Sequence, residues 1–321
     1  MCYYTSMNYK RLLKVFKNKD KVAVVGHKNP DMDAIGSVLV FRDILKEVYG
    51  VKTVDVFFDY DRLTDEASES LLGVNVNPPV QDYDIVVRLD SASDAILGTN
   101  CDLYKNAKYK VVIDHHDTDD MSGDVNIIEI CSSTCEIIYR ISKELKYPLS
   151  NRQLSLIYSG MVTDTRNFIV GRMNKLTFDI VGEISERINI SEISRKFVNT
   201  TSWITNQLTA IAINNAELIN ENCIISFITR EEANSLNADQ SSFIGIVNHL
   251  ANTKGVVFTA LILPEENYFK ISMRRDGIDF NVGEFAKKYG GGGHAGASGF
   301  THNGTIEDIK NIIKEELFKY L

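Results

Sequence analysis

No stretch of the 321-residue chain approaches the roughly 18 consecutive apolar residues that a membrane span needs, and the N-terminus (MCYYTSMNYKRLLKVFKNKDK) is charged, with no apolar signal core. A cytoplasmic setting with no membrane partner is expected. Cysteine is scarce: Cys2, Cys101, Cys131, Cys135 and Cys223 are odd in number and lack CxxC spacing, so neither a disulfide framework nor a structural zinc site is indicated. Basic charge is not in excess. Lys plus Arg number 35 against 43 Asp plus Glu, a formal net charge of −8, which opposes a broad grip on a nucleic-acid backbone and disfavours long duplex as the main ligand. Low-complexity linkers and internal repeats are also lacking.

With 44% hydrophobic and 24% charged residues the composition is that of a globular chain, and at roughly 150 residues per domain its length suggests two domains. The first half alternates short β-branched runs with helical patterns. KVAVVG (21–26), TVDVFF (53–58), DIVVRLD (84–90) and YKVVID (109–114) read as strands at βα spacing, with an amphipathic helix over 34–49. That rhythm implies an α/β domain with a parallel sheet and flanking helices. Helical patterns follow (SSTCEIIYRISKEL, NRQLSLIYSGMVTDT and 175–190), and a second α/β set begins near 221. Its strands are read at 223–228, 255–263 and 268–274, its helices at 231–236, 243–251, 282–289 and from 305, with GGGGHAGASGF between the last two. The expected division is a first domain over 1–190, a helical linker over 191–220, and a smaller mixed-sheet α/β domain over 221–321.

Ligands of open parallel α/β sheets bind beyond the carboxyl ends of the strands, so the polar residues there matter most. The first strand runs into Gly26-His27-Lys28-Asn29-Pro30-Asp31-Met32-Asp33, the third ends in Asp90, the fourth in Asp114-His115-His116, and Asp164 falls near the end of a later helix. Singly, each has a bland explanation: Asp33 as a helix N-cap, Asp31 as a turn residue, His115 as a core histidine. Together, three strands deliver His and Asp to one sheet edge. Mixed imidazole and carboxylate donors suit manganese, magnesium, cobalt or zinc. His27, Asp31, Asp33, Asp90, His115 and Asp164 are more donors than one open site uses. They match two metals roughly 3.5–4 Å apart, as in centres that displace at phosphorus.

GHKNPDMDAIGS, the strand-end Asp90, DHH at 114–116, VTDT around Asp164 and GGGGHAGASG together resemble the DHH phosphoesterase family. The resemblance is to the branch with a DHH-associated, glycine-rich substrate domain, and in length and domain content to bacterial oligoribonuclease and pAp (3′-phosphoadenosine-5′-phosphate) phosphatase enzymes. It implies one metal held by His27, Asp31 and Asp90 and another by Asp33, Asp90, His115 and Asp164, with Asp90 as the bridge and manganese foremost among the ions. It further implies that Asp114 supports the metal-bound histidines, that His116 faces the substrate phosphate as donor or general acid, and that the protein is a homodimer.

In the second domain, Ser272 and Arg274 match the family's strand pattern for nucleotide contacts. Gly291, Gly292 and Gly293 would let backbone N–H groups approach an anion, and His294 adds a donor beside them. Arg166 and Arg275 depart from the family pattern and leave substrate preference open, with solvent the favoured surroundings of both side chains. Ser132, Ser133 and Thr134 read either as a helix cap or as a phosphate contact. The resemblance therefore implies a metal-dependent phosphohydrolase of small nucleotides: pAp, or RNA of a few nucleotides. A phosphodiesterase of linear or cyclic dinucleotides (pApA, cyclic di-AMP) is the alternative, and a nucleotide sensor without catalysis is a second one, disfavoured because no metal ligand is missing.

Overall fold

A computed structural model describes residues 9–60, 63–116, 120–198 and 200–321. They form two compact units, divided between Thr200 and Thr201. The first has a five-stranded sheet in the order β2-β1-β3-β4-β5, with every pair parallel: β1 (Lys21–Val25), β2 (Thr53–Phe57), β3 (Ile85–Leu89), β4 (Lys110–Asp114) and β5 (Val125–Ile128). Val and Ile fill both faces of the central strands, as a sheet covered on two sides requires. The helices of this unit are α1 (Tyr9–Leu12), α2 (Met32–Tyr49), α3 (Asp65–Ser70), α4 (Cys101–Lys105), α5 (Thr134–Leu145), α6 (Asn151–Asp164), α7 (Lys175–Ser185) and α8 (Ile190–Phe197).

One face of the sheet builds the main core with α2, α5 and α6, where Val24, Val87 and Ile113 meet Ile35, Ile138 and Ile157. The other face buries Val86, Val112 and Tyr104. Gly160 permits the close approach of helices: a Cβ there would lie 2.4 Å from Cys135 Sγ of α5 and 2.8 Å from Asp33 Oδ1 of α2. In this strand order the chain turns from one side of the sheet to the other between β1 and β3. That crevice is where a parallel α/β sheet takes its ligand.

The second unit has a mixed sheet ordered β10-β11-β9-β8-β7-β6, antiparallel except for the parallel pair β7–β8. Its strands are β6 (Glu217–Ile219), β7 (Cys223–Phe227), β8 (Phe258–Pro264), β9 (Phe269–Arg275), β10 (Gly292–His294) and β11 (Ala297–His302). Its helices are α9 (Trp203–Asn214), α10 (Arg230–Ser235), α11 (Ile246–Ala251), α12 (Val282–Lys287) and α13 (Ile306–Leu317). Phe258, Ile271 and Met273 face α12 and α13 through Phe285 and Ile309. On the opposite face Leu261 packs against Leu208 of α9 and Ile246 and Leu250 of α11.

Several elements differ from the sequence expectation. β5 and β6 are short strands that were not anticipated. The helix expected over 243–251 is broken: a 3-10 turn (Gln240–Phe243) ends before Gly245, whose φ of 88° starts α11 anew. The glycine cluster is a β-hairpin, β10–β11, on the sheet's edge. No helix among the described residues is long and apolar enough to cross a membrane.

Candidate metal centre and substrate face

The loop leaving β1 is sewn to its neighbours by its backbone. Lys28 N–H donates to Ile96 O (2.7 Å) and Asn29 N–H to Asp59 O (2.7 Å). Asp31 then caps α2, its Oδ1 accepting from the N–H of Asp33 (2.9 Å) and Ala34 (3.1 Å), so the N-cap is Asp31 and Asp33 lies in the first helical turn. Asp33 is fully buried and caps a different helix: its Oδ2 accepts from Thr134 N–H (2.7 Å) and Oδ1 from Cys135 N–H (2.8 Å), at the positive end of α5.

His27 Nδ1 donates to Lys28 O (2.8 Å). A carbonyl only accepts, so in the neutral ring this contact fixes the tautomer and leaves Nε2 with its lone pair. Nε2 lies 3.8 Å from Asp31 Oδ1 and 3.8 Å from Asp90 Oδ2. His115 repeats the arrangement: Nδ1 faces Cys131 O (3.3 Å), and Nε2 lies 3.6 Å from Asp90 Oδ1 and 3.5 Å from Asp164 Oδ2. Asp90 is only 3% exposed, directly follows β3, and has a φ of 51°, a left-handed conformation that Asp tolerates better than most residues. Thr134 Oγ1 donates to Asp90 Oδ1 (3.0 Å), so of the three residues read as cap or phosphate contact, Ser133 caps α5 and Thr134 holds Asp90. Asp164 is the last residue of α6. Behind it Arg166, Asn167 and Phe168 all have positive φ (47°, 60° and 61°), an abrupt left-handed turn, and Arg166 is exposed.

All six candidate ligands therefore converge. Donor atoms of His27, Asp31 and Asp90 lie within 4.8 Å of one another, as do those of Asp33, His115 and Asp164. Electrostatics fits a cation at this point. Burial, with the charge of Asp31, pushes Asp90 up to about 7. Burial and the charges of Asp90 and Asp164 drive Asp33 well above the carboxylate range. For His27 burial pulls downward, but the Asp31 contact and the charges of Asp31 and Asp90 prevail and raise it to about 10. Hard oxygen donors that repel one another, joined by two Nε2 atoms of fixed tautomer, are a set that divalent cations satisfy.

Asp90, His27 and His116 are all raised above their ordinary values in the folded chain without metal, so between its two values each holds a proton that the unfolded chain has released. Stability must then fall with rising pH: between 3.8 and about 7 for Asp90, and from 6.5 towards about 9–10 for the two histidines. Melting curves with chelator are expected to move to lower temperature from pH 6.5 to 9. The increment given by added manganese is expected to widen over the same range, because the cation then displaces fewer protons.

The contacts of Asp114 are narrower than the support of both histidines that the resemblance implies. Asp114 Oδ1 accepts from His116 Nδ1 (2.8 Å) and from the backbone N–H of His115 (2.7 Å). The ring supported by this carboxylate is that of His116; the ring of His115 is oriented by the Cys131 carbonyl. No local pattern in the sequence marks that carbonyl. Burial lowers His116, but Asp114 outweighs it and sets the imidazole at about 9.

In the second unit, Ser272 and Arg274 lie on the face of β9 opposite the core residues Ile271 and Met273. In register, Ser272 pairs with Gly299 and Arg274 with Ala297 on β11; Gly292 and His294 pair with the same two residues from β10. Small residues thus floor the strip between β9 and β10. His294 is placed by its backbone, and its side chain lies outside the described residues. Gly291 and Gly293 are close-packing positions: a Cβ would come within 2.2 Å of Gly299 O and 2.5 Å of Ala297 O respectively, and Gly293 has a φ of 134°. Gly292 is exposed, with open space around its Cα.

Sequence reading missed Asn248 of α11, whose Oδ1 accepts from Arg274 Nε (2.8 Å); this contact bridges 26 positions. Arg275, expected in solvent, donates from Nε to Ala295 O (3.0 Å) and from Nη1 to Ile278 O (2.8 Å). It clamps the tip of the β10–β11 hairpin.

The DHH family N-terminal domain matches residues 21–161, and the DHHA1 domain matches residues 220–319. The chain belongs to the DHH family. Among its relatives, the bifunctional oligoribonuclease and PAP phosphatase NrnA of Bacillus subtilis is 26% identical over 317 residues, covering 95% of this chain and 98% of the relative. An exopolyphosphatase-related protein of Bacteroides fragilis superposes with a TM-score of 0.85 at 26% identity, over 98% of this chain and 96% of that one. The exonuclease RecJ bound to manganese shares the fold, with a TM-score of 0.63 at 12% identity over 98% and 95% of the two chains. All the candidate metal ligands but Asp164 fall within the matched DHH segment, and Asp164 lies three residues beyond its end.

Proposed function

We propose that this DHH-family chain is a metal-dependent phosphohydrolase of small nucleotides that removes the 3′-phosphate of pAp and degrades RNA of a few nucleotides to mononucleotides. The observation that carries the reading is the position of one carboxylate: Asp90 faces His27 Nε2 with Oδ2 and His115 Nε2 with Oδ1. That is the placement of a group shared by two metal sites. His27, Asp31 and Asp90 would hold one divalent ion, and Asp33, Asp90, His115 and Asp164 the other, with manganese the proposed metal. When bound, such ions polarise the phosphate oxygens and activate water for in-line displacement.

The remaining chemistry belongs to side chains. Thr134 and Cys135 fix the Asp33 carboxylate through backbone N–H groups, and the Thr134 hydroxyl fixes Asp90. His116, its Nδ1 engaged by Asp114, offers Nε2 to a phosphate oxygen as hydrogen-bond donor or to the leaving oxygen as general acid. On the DHHA1 domain, Ser272 and Arg274 with the exposed backbone at Gly292 would receive the nucleotide, the guanidinium serving as a planar fork for phosphate. The name of the Bacillus subtilis relative supports the substrate class, and the net charge of −8 agrees with a short ligand that needs only local cations.

The test is turnover of a panel with manganese: pAp, 5′-phosphorylated diribonucleotides, pApA and cyclic di-AMP. The expected order of kcat/KM places pAp and the diribonucleotides above the cyclic compound. Absence of turnover of every member refutes the proposal, and a clear preference for cyclic di-AMP replaces it with the dinucleotide phosphodiesterase reading.

A further inference from the structure

Among the described residues the largest fully buried side chain is a cation, Arg88, on β3 two positions ahead of Asp90. Val87 and Leu89 face the core shared with α2, α5 and α6; Arg88 points to the other side of the sheet, with Cζ 5.4 Å from the centre of the Tyr104 ring. Its two terminal nitrogens diverge to different loops. Nη1 donates to Asp94 Oδ1 (2.8 Å), in the segment that leaves β3, and Nη2 donates to Asp120 Oδ1 (2.7 Å), four residues beyond His116.

The two loops are also joined to each other. Asp94 N–H donates to Asp120 Oδ2 (3.2 Å), Ser122 Oγ to Asp94 Oδ1 (2.7 Å), and Asp120 N–H to Ala92 O (3.0 Å). From the Asp94 segment the connection continues to the β1 loop: Ile96 O accepts from Lys28 N–H, and Lys28 O accepts from His27 Nδ1. One guanidinium beneath the sheet edge thus ties the segment that follows Asp90 to Asp120, four positions past His116 in the sequence, and through Ile96 and Lys28 to the loop that carries His27.

We propose that Arg88 is a positioning residue for the metal centre, acting on its ligands through Asp94 and Asp120. The inference rests on the metal-binding part of the proposed function and not on its substrate. An arginine is needed because its planar fork reaches two carboxylates in two directions. A lysine at this place is a single point charge and satisfies one of them. Without either, Asp94 and Asp120 repel each other and the loops part.

The experiment uses the full chain, stripped with chelator, as wild type, Arg88→Lys, Arg88→Met and Asp120→Asn. Manganese binding is measured by calorimetry, and the melting temperature is measured without metal. Arg88→Lys and Asp120→Asn are expected to weaken manganese binding on the order of tenfold to a hundredfold, the range seen when groups that orient metal ligands are removed. Arg88→Met is expected to weaken it at least as much. Asp120 lies on a partly exposed loop, so Asp120→Asn is expected to keep a melting temperature close to wild type, and it decides the matter if Arg88→Met does not fold. Unchanged manganese affinity in Asp120→Asn and Arg88→Lys, whatever their melting temperatures, overturns the proposal; so does a wild type that binds no manganese. A wild type that binds manganese but hydrolyses no nucleotide refutes the substrate reading and leaves this inference to the binding constants.

Discussion

Asp90→Asn is expected to abolish nucleotide hydrolysis while raising the melting temperature of the chelator-treated chain at pH 8. The two effects share one cause. Asp90 is buried beside Asp31, Asp33, Asp114 and the backbone of β4, and in the absence of cations its charge is opposed by burial and by neighbouring carboxylates. Asparagine keeps the shape, keeps an oxygen for Thr134 Oγ1, and tolerates the left-handed φ of 51°, so the fold is preserved and the repulsion removed. What is lost is the carboxylate that faces both imidazoles. Metal assistance contributes several kcal/mol of transition-state stabilisation, so kcat/KM is expected to fall on the order of 10³-fold or more. A rise in stability paired with loss of activity separates a functional carboxylate from a structural one, since removal of a structural group lowers both.

The second large effect concerns His116 and Asp114. His116→Ala is expected to lower kcat about 10²–10⁴-fold, the range of general acid–base assistance, with manganese affinity little changed. Asp114→Asn is expected to lower kcat by a smaller factor, because it loosens the hold on Nδ1 without removing the ring. If the carboxylate acts through His116, the double variant is no worse than His116→Ala alone. If instead it acts through His115, the proposed metal ligand, the losses add and manganese binding weakens as well. The cycle therefore distinguishes the contact seen in the structure from the role implied by family resemblance.

The parts of the site written in consecutive residues were legible in the sequence. β1, β3 and β4 show as β-branched runs because both their faces are buried, and His27, Asp90 and the run Asp114 to His116 show because they end or closely follow those strands, whereas Asp31 and Asp33 open α2 and Asp164 ends α6. The convergence at one sheet edge followed from parallel topology alone. The glycine cluster was legible as unusual, but not as a hairpin: its strand character comes from pairing with β9 through Gly299 and Ala297, not from side-chain periodicity.

Long-range polar partners were invisible. Arg88 sits in the apolar run IVVRL, where its charge reads as an interruption, and its meaning lies in Asp120, 32 positions away. Asn248 and Arg274 are separated similarly, and the Cys131 carbonyl that orients His115 carries no residue-type signal at all. Arg275 looked like a spare surface cation because a backbone carbonyl as partner leaves no trace in composition. The candidate ligands were thus readable from local chemistry, and the groups that hold them only from the fold.

The most direct measurement is the stoichiometry of manganese binding to the stripped full chain, followed by calorimetry and paired with phosphate release from pAp at each point of the titration. Two ions per chain, with release rising only as the second is taken up and with the two-ion stoichiometry lost in Asp90→Asn, is the expected result. A single ion per chain, or phosphate release that persists in the presence of chelator, would contradict a centre built around a shared Asp90.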